Sequence, residues 1–134
     1  MANNKKDYYM LKLLLVSSDK DSFNGFEAAI TKYNDVDLIR TDSGKKALTM
    51  AAESSLDLVV ADENLRDMTG LEFAGRLIAV NPMTNCALTS SLSAEIFHEK
   101  SEGLGLMTQL PINPGQEDAQ NLLEKLREIK KLTN

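Results

Sequence analysis

One cysteine, one histidine and three prolines in 134 residues remove several kinds of protein at the outset. Cys86 alone closes no intrachain disulfide and builds no cysteine cage for a metal. With His98 as the single histidine, multi-histidine zinc sites are excluded and a Ser-His-Asp triad is disfavoured. No stretch approaches the roughly 18 consecutive apolar residues of a membrane span. Residues 1–7 are polar, with two lysines and no apolar signal-peptide core, so a cytoplasmic chain without a membrane partner is expected. Basic residues are also scarce: fifteen against twenty acids leave a net charge of −5. Nucleic-acid backbones are bound through Lys and Arg, so that balance argues against nucleic acid as a partner. Pro/Gly/Ser-rich linkers, internal repeats and low-complexity tracts are absent, and the length suits one domain burying roughly 68% of its unfolded surface.

What remains is an alternation of two kinds of segment. Leu11 to Val16 reads LKLLLV and ends at Ser17, Ser18 and Asp19, as a strand buried on both faces of a parallel sheet would. Phe23, Phe26, Ile30 and Tyr33 then recur at helical spacing. A second strand is expected over Val36 to Arg40, followed by a helix capped by Asp42 or Ser43 and carrying Ala47, Leu48, Ala51 and Ala52. Asp57 to Ala61 reads as a third strand that stops at Asp62. Gly70 precedes a helix striped by Leu71, Ala74, Leu77 and Ile78 and closed by Asn81-Pro82. A fourth strand is expected over Cys86 to Thr89, a short helix from Ser93 through Lys100, and a weak fifth strand within Gly103 to Gln109. Asn113-Pro114 suggests an N-cap and first-turn proline for a last helix lined by Ala119, Leu122, Leu126 and Ile129.

Five strand–helix pairs imply an α/β fold, a doubly wound five-stranded parallel sheet with helices on both faces. Such sheets carry their chemistry beyond the carboxyl ends of the strands, where the strand order switches. Those ends hold Ser17, Ser18 and Asp19, then Asp62, Thr89, and Leu110-Pro111. Asp62 reads equally as a cap for the loop that follows it and as a nucleophile or metal ligand, since a carboxylate can accept a phosphoryl group as an acyl phosphate.

The residues around Asp62 narrow this. The stretch D62-E-N-L-R-D-M-T-G70-L-E-F resembles the phosphoacceptor loop of response-regulator receiver domains, the flavodoxin-like modules of two-component signalling. Met68 and Gly70 fit its hydrophobic-x-Gly ending, while Arg66 stands where that loop often has proline. Thr89-Ser90 resembles the family's switch hydroxyl and the small residue after it, and Leu110-Pro111-Ile112 stands at its Lys-Pro-aromatic step. The resemblance runs from about Met10 to Lys131. It implies a receiver-like domain over 10–132 behind an N-terminal extension over 1–9, and a cis Leu110–Pro111 bond.

The departures carry as much meaning. The family ends its first strand in an acidic pair that holds Mg²⁺; here that pair is Ser17 and Ser18. Mg²⁺ prefers carboxylate and phosphate oxygens in octahedral array. Asp62, the backbone carbonyl of Asn64 and, one residue past the pair, Asp19 are the weak metal candidates that remain. The family's lysine, which neutralises phosphoryl oxygens, is Leu110, and the aromatic that reports its switched state is Met107. Phosphoryl transfer depends on positioning and placed positive charge. The resemblance therefore implies a degenerate, non-enzymatic receiver with no required cofactor, weakly or not at all phosphorylated on Asp62, acting through a signalling partner. That partner would be a histidine kinase or a downstream effector.

Two alternatives stand beside it. One is a working phosphoacceptor taking phosphate from a histidine kinase onto Asp62 with water-rich Mg²⁺. The other is a flavin or nucleotide binder of similar topology, using Ser17, Ser18 and Ser22 as a hydroxyl-rich phosphate loop. Cys86 is expected to be a core thiol, and His98 a solvated side chain. Lys125, Arg127, Lys130 and Lys131 are expected to form a solvated face paired along the last helix, as Glu124 with Arg127 and Glu128 with Lys131. The family's docking face would fall on Ser93 to Ser101, Gly105 to Gln109 and the last helix, with Leu104, Leu106 and Met107 as apolar contacts.

Overall fold

A computed structural model describes residues 10–133; the expected extension over 1–9 lies outside them. The elements are β1 (Leu11–Val16), α1 (Asn24–Ile30), β2 (Val36–Thr41), α2 (Gly44–Glu53), β3 (Leu58–Ala61), α3 (Gly70–Val80), β4 (Asn85–Thr89), α4 (Ala94–Lys100), β5 (Thr108–Leu110) and α5 (Gln116–Thr133). The strands pair in parallel in the order β2-β1-β3-β4-β5. Strand order therefore reverses between β1 and β3, and the crevice at their carboxyl ends is the expected seat of chemistry.

Alternation along the strands divides two cores. Leu11, Leu13 and Leu15 of β1 join Leu58 and Val60 of β3 on the face covered by α1 and α5, with Phe23, Phe26, Leu122 and Leu126. Leu14, Val16, Val59 and Ala61 point the other way, beneath Ala47, Phe73, Leu77 and Phe97 of α2, α3 and α4. An unbroken apolar run is what a strand covered on both faces requires. Cys86 lies in the second core, where burial pushes its thiol up to about 12, out of reach of ordinary thiolate chemistry.

Three expectations give way here. The fifth strand is Thr108–Leu110, because Gly103 and Gly105 adopt φ of +86° and +62°, which an extended strand does not allow. Met107 therefore precedes the strand. The last helix starts at Gln116, and Asn113 sits at φ +55°, a left-handed turn residue and not an N-cap. No peptide bond among the described residues is cis, so Leu110–Pro111 is trans, the form an X–Pro bond prefers by roughly 0.5–1 kcal/mol.

The charges of α5 also pair differently. Arg127 forks onto Asp35, before β2, at 2.6 and 3.1 Å, and Lys130 reaches Asp57 at 2.7 Å, so these cations tie the helix to the sheet. The Arg127 hydrogen bonds hold the Asp35 carboxyl below its usual value against the opposing effect of burial. A carboxyl lowered on folding contributes stability above its unfolded value that is lost as pH falls through the folded one. Asp35→Asn is accordingly expected to lower stability at pH 7 by no more than about 1 kcal/mol, the pair being half exposed. The difference from wild type should shrink as pH falls below the unfolded value of about 4. Urea midpoints from pH 7 to pH 3 measure it, and a difference that grows in acid would contradict the assignment.

The loop after β3 is held at its far end by a capping box. Thr69 Oγ1 accepts the Glu72 N–H at 3.1 Å, and the Glu72 carboxylate accepts the Thr69 N–H at 2.9 Å. Gly70 follows so closely under the strand end that a Cβ there would lie 2.5 Å from the Asp62 carbonyl oxygen. Thr69→Ala is expected to cost about 1 kcal/mol. Gly70→Ala should cost about 1–3 kcal/mol despite the better helix former, because backbone must move. Urea denaturation of both variants distinguishes the two effects.

Candidate functional site

Register builds the site. Val16 pairs with Ala61, and Ala61 with Leu88. Ser17, Asp62 and Thr89, each one residue further on, therefore project from one level of the sheet toward the α1/α5 side. The Asp62 N–H is anchored on the Val16 carbonyl at 3.1 Å. Thr89 Oγ1 donates to Asp62 Oδ1 at 2.9 Å and accepts the Glu63 N–H at 3.1 Å, so its proton and one lone pair are both used. Ser17 Oγ lies 2.7 Å from Asp62 Oδ2.

A third hydroxyl completes the ring: Ser22 Oγ lies 2.7 Å from the same Oδ2. The Ser17 and Ser22 hydroxyls are 2.9 Å apart, and each also lies within hydrogen-bond reach of the Asp19 carbonyl. Each serine has a single proton, so the two are divided among the carboxylate, that carbonyl and each other. Donation to the charged oxygen is the stronger choice. The Asp19 N–H returns a bond to Ser17 Oγ at 3.1 Å, which holds the loop tightly around this exchange.

Several residues expected at the site stand elsewhere. Ser18 is exposed, and the second serine on Asp62 is Ser22. A five-residue loop return, invisible to linear spacing, brings it in. Asp19 is exposed, its carboxylate engaging the Asp21 N–H. Leu110 pairs with Thr89 in register, at the place the resemblance implies, yet its side chain is 4% exposed and belongs to the α1/α5 core. Met107 is half-buried against that same core. Leu104 and Leu106 are half-buried against the other core, and Leu106 also lines a groove beside α4. Arg66 engages Asp42 at 3.6 Å. Cys86 is buried and His98 exposed, as their surroundings in the sequence indicate.

Glu63 was not anticipated. Its carboxylate accepts from the Ser91 N–H at 2.9 Å and from Ser91 Oγ, latching the loop after β4 to the loop after β3. The only cue in the sequence was its place directly after Asp62.

The Mg²⁺ site implied by the resemblance does not fit these donors. Among the described residues no group of three His, Cys, Asp or Glu side chains stands close enough to hold a metal ion. The atoms beside Asp62 are neutral hydroxyls already turned onto it. A flavin phosphate loop fits no better, because Ser17 and Ser22 are spent on a carboxylate whose charge opposes a phosphate.

No protein-family model matches the sequence, and no curated protein does. Solved structures do match in shape. The response regulator domain of Thermotoga maritima CheB superposes with a TM-score of 0.74 at 20% identity, covering 89% of this chain and 95% of that one. Chemotaxis response regulator CheY4 of Vibrio cholerae gives 0.75 at 18%, covering 87% and 98%. The receiver domain of a modulated diguanylate cyclase from Desulfovibrio desulfuricans G20 gives 0.76 at 20%, covering 93% and 99%. The chain has the fold of response-regulator receiver domains. Among the described residues no helix is long and apolar enough to cross a membrane.

Substitutions separate the ring from its neighbours. Thr89→Val, which keeps the shape but orphans the Glu63 N–H and one Asp62 oxygen, is expected to cost about 1–3 kcal/mol, and Thr89→Ser much less. Ser22→Ala should cost about 1 kcal/mol, while Ser18→Ala should stay within about 0.5 kcal/mol of wild type. Equal effects at Ser18 and Ser22 in chemical denaturation would overturn the assignment.

Proposed function

We propose that this chain is a receiver-type module of two-component signalling that has lost the standard phosphorylation switch and acts through protein–protein interaction in the cytoplasm. The observation that carries this reading is the state of Asp62: three hydroxyls lie on its two oxygens, no group of three His, Cys, Asp or Glu side chains among the described residues could hold a metal there, and Leu110 fills the lysine position with a core side chain. A phosphoryl donor approaching Asp62 would meet neither a metal site nor a fixed cation to neutralise its oxygens. Its carboxylate would also have to give up charge-assisted hydrogen bonds before attacking phosphorus. The module itself is not an enzyme, and its partner is a kinase or effector of the pathway.

A working phosphoacceptor is the second reading. It draws on Thr89, whose hydroxyl lies 2.9 Å from Asp62 Oδ1 at the switch position.

Incubation with Mg²⁺ and acetyl phosphate, followed by intact mass, decides between them. No phosphoryl adduct is expected, and no thermal shift with beryllofluoride. A near-stoichiometric adduct abolished by Asp62→Asn would establish the second reading. Ser17→Asp combined with Leu110→Lys should restore Mg²⁺-dependent modification if these positions are the degenerate ones, provided circular dichroism shows that the buried lysine still permits folding.

A further inference from the structure

Beyond Asp62, on the β2 side of the sheet, a groove of about 530 Å³ opens between the carboxyl ends of β1 and β2. Ser17, Ser18, Lys20, Arg40, Thr41, Asp42 and Arg66 line it. Three of the seven are cations, supplied by three separate segments: the turn after β1, the end of β2 and the loop after β3. In a protein of net charge −5 this is a local reversal of sign. Its volume lies within the range of small-ligand pockets.

We infer that this groove binds a compact, phosphate-rich anion of the pyrophosphate class, without recognition of a nucleobase. The lining contains no aromatic and no aliphatic residue on which a base could stack. It offers the Lys20 ammonium, the Arg66 guanidinium and the hydroxyls of Ser18 and Thr41, a donor set that suits tetrahedral phosphate oxygens. Recognition rests on side chains: the first amides of α2 are already taken, Gly44 and Lys45 by Asp67 and Lys46 by the Ser43 cap.

The cations are available at small cost. Lys20 is exposed, with no ion pair found for it among the described residues. Arg66 is held only by a loose exposed contact to Asp42, which keeps Lys46 at 3.2 Å when Arg66 turns to a ligand. Such an exposed pair is weak enough to exchange for a multiply charged anion. Arg40 is committed to Glu27 and contributes mainly its field. Asp42 and, beyond Ser17, Asp62 set the opposing charge. The anion therefore belongs on the Lys20 and Arg66 side of the groove.

Titration of the full chain with pyrophosphate at low ionic strength, followed by amide shifts and calorimetry, tests this. Saturable binding is expected with a Kd below about 1 mM, weakening as salt is raised. Lys20→Ala and Arg66→Ala should each weaken it about tenfold, and Lys125→Ala, on α5, should leave it unchanged. Asp62→Asn should bind at least as tightly as wild type, so the result stands apart from the phosphorylation reading. Linear, non-saturating shifts would overturn the proposal, as would Lys20→Ala and Arg66→Ala variants with wild-type affinity. ATP binding more than tenfold tighter than pyrophosphate would overturn the ligand class.

Discussion

The register of β1, β3 and β4 is the constraint on which the remainder of this structure depends. Because Val16, Ala61 and Leu88 lie side by side, the next residue of each segment emerges at the same height and on the same face. A slip of one residue in any strand would turn that position into the opposite core. The apolar alternation that secures the two cores is therefore also what aims Ser17, Asp62 and Thr89 at one another. Packing energy, spread over residues such as Leu13, Leu15, Val60 and Phe26, holds this polar arrangement in place.

Around Asp62 the consequence is a carboxylate satisfied by neutral donors. A cluster of carboxylates at this point would repel one another and call for a cation. Here the hydroxyls of Ser17, Ser22 and Thr89 supply the hydrogen bonds to both carboxylate oxygens. Positive charge has not left the region altogether. It stands one strand over, in Lys20, Arg40 and Arg66, separated from Asp62 by Ser17. The open end of the sheet thus holds a hydroxyl-ringed carboxylate and a cationic groove side by side.

Much of this was legible beforehand. The strand ends at Val16, Ala61 and Thr89 follow from apolar runs that stop at polar residues, Ser93 caps its helix as its spacing indicates, and of the two cap candidates before α2 the structure uses Ser43. Asp62 and Thr89 were recognisable because each is the polar residue at or just past such an end. Ser22 was recognisable only as a phosphate-loop hydroxyl and Glu63 not at all, since each reaches its partner through a loop whose path local spacing does not encode. The trimmed fifth strand and late start of α5 share one cause. Gly103, Gly105 and Asn113 take positive φ, a choice that residue type permits but does not compel.

Sequence by itself determined the alternating α/β order, the two-sided burial of the strands and the polar residues at their carboxyl ends. Each of these follows from residue type and short-range periodicity, which act along the chain. Only the tertiary structure decided which hydroxyls close on Asp62, that Leu110 is a core residue, and that the cations of α5 bind Asp35 and Asp57. It alone brought Lys20, Arg40 and Arg66 to one groove. Those outcomes depend on distances between segments far apart in sequence, and such distances exist only once parallel strands have been set in register and the loops closed over their ends.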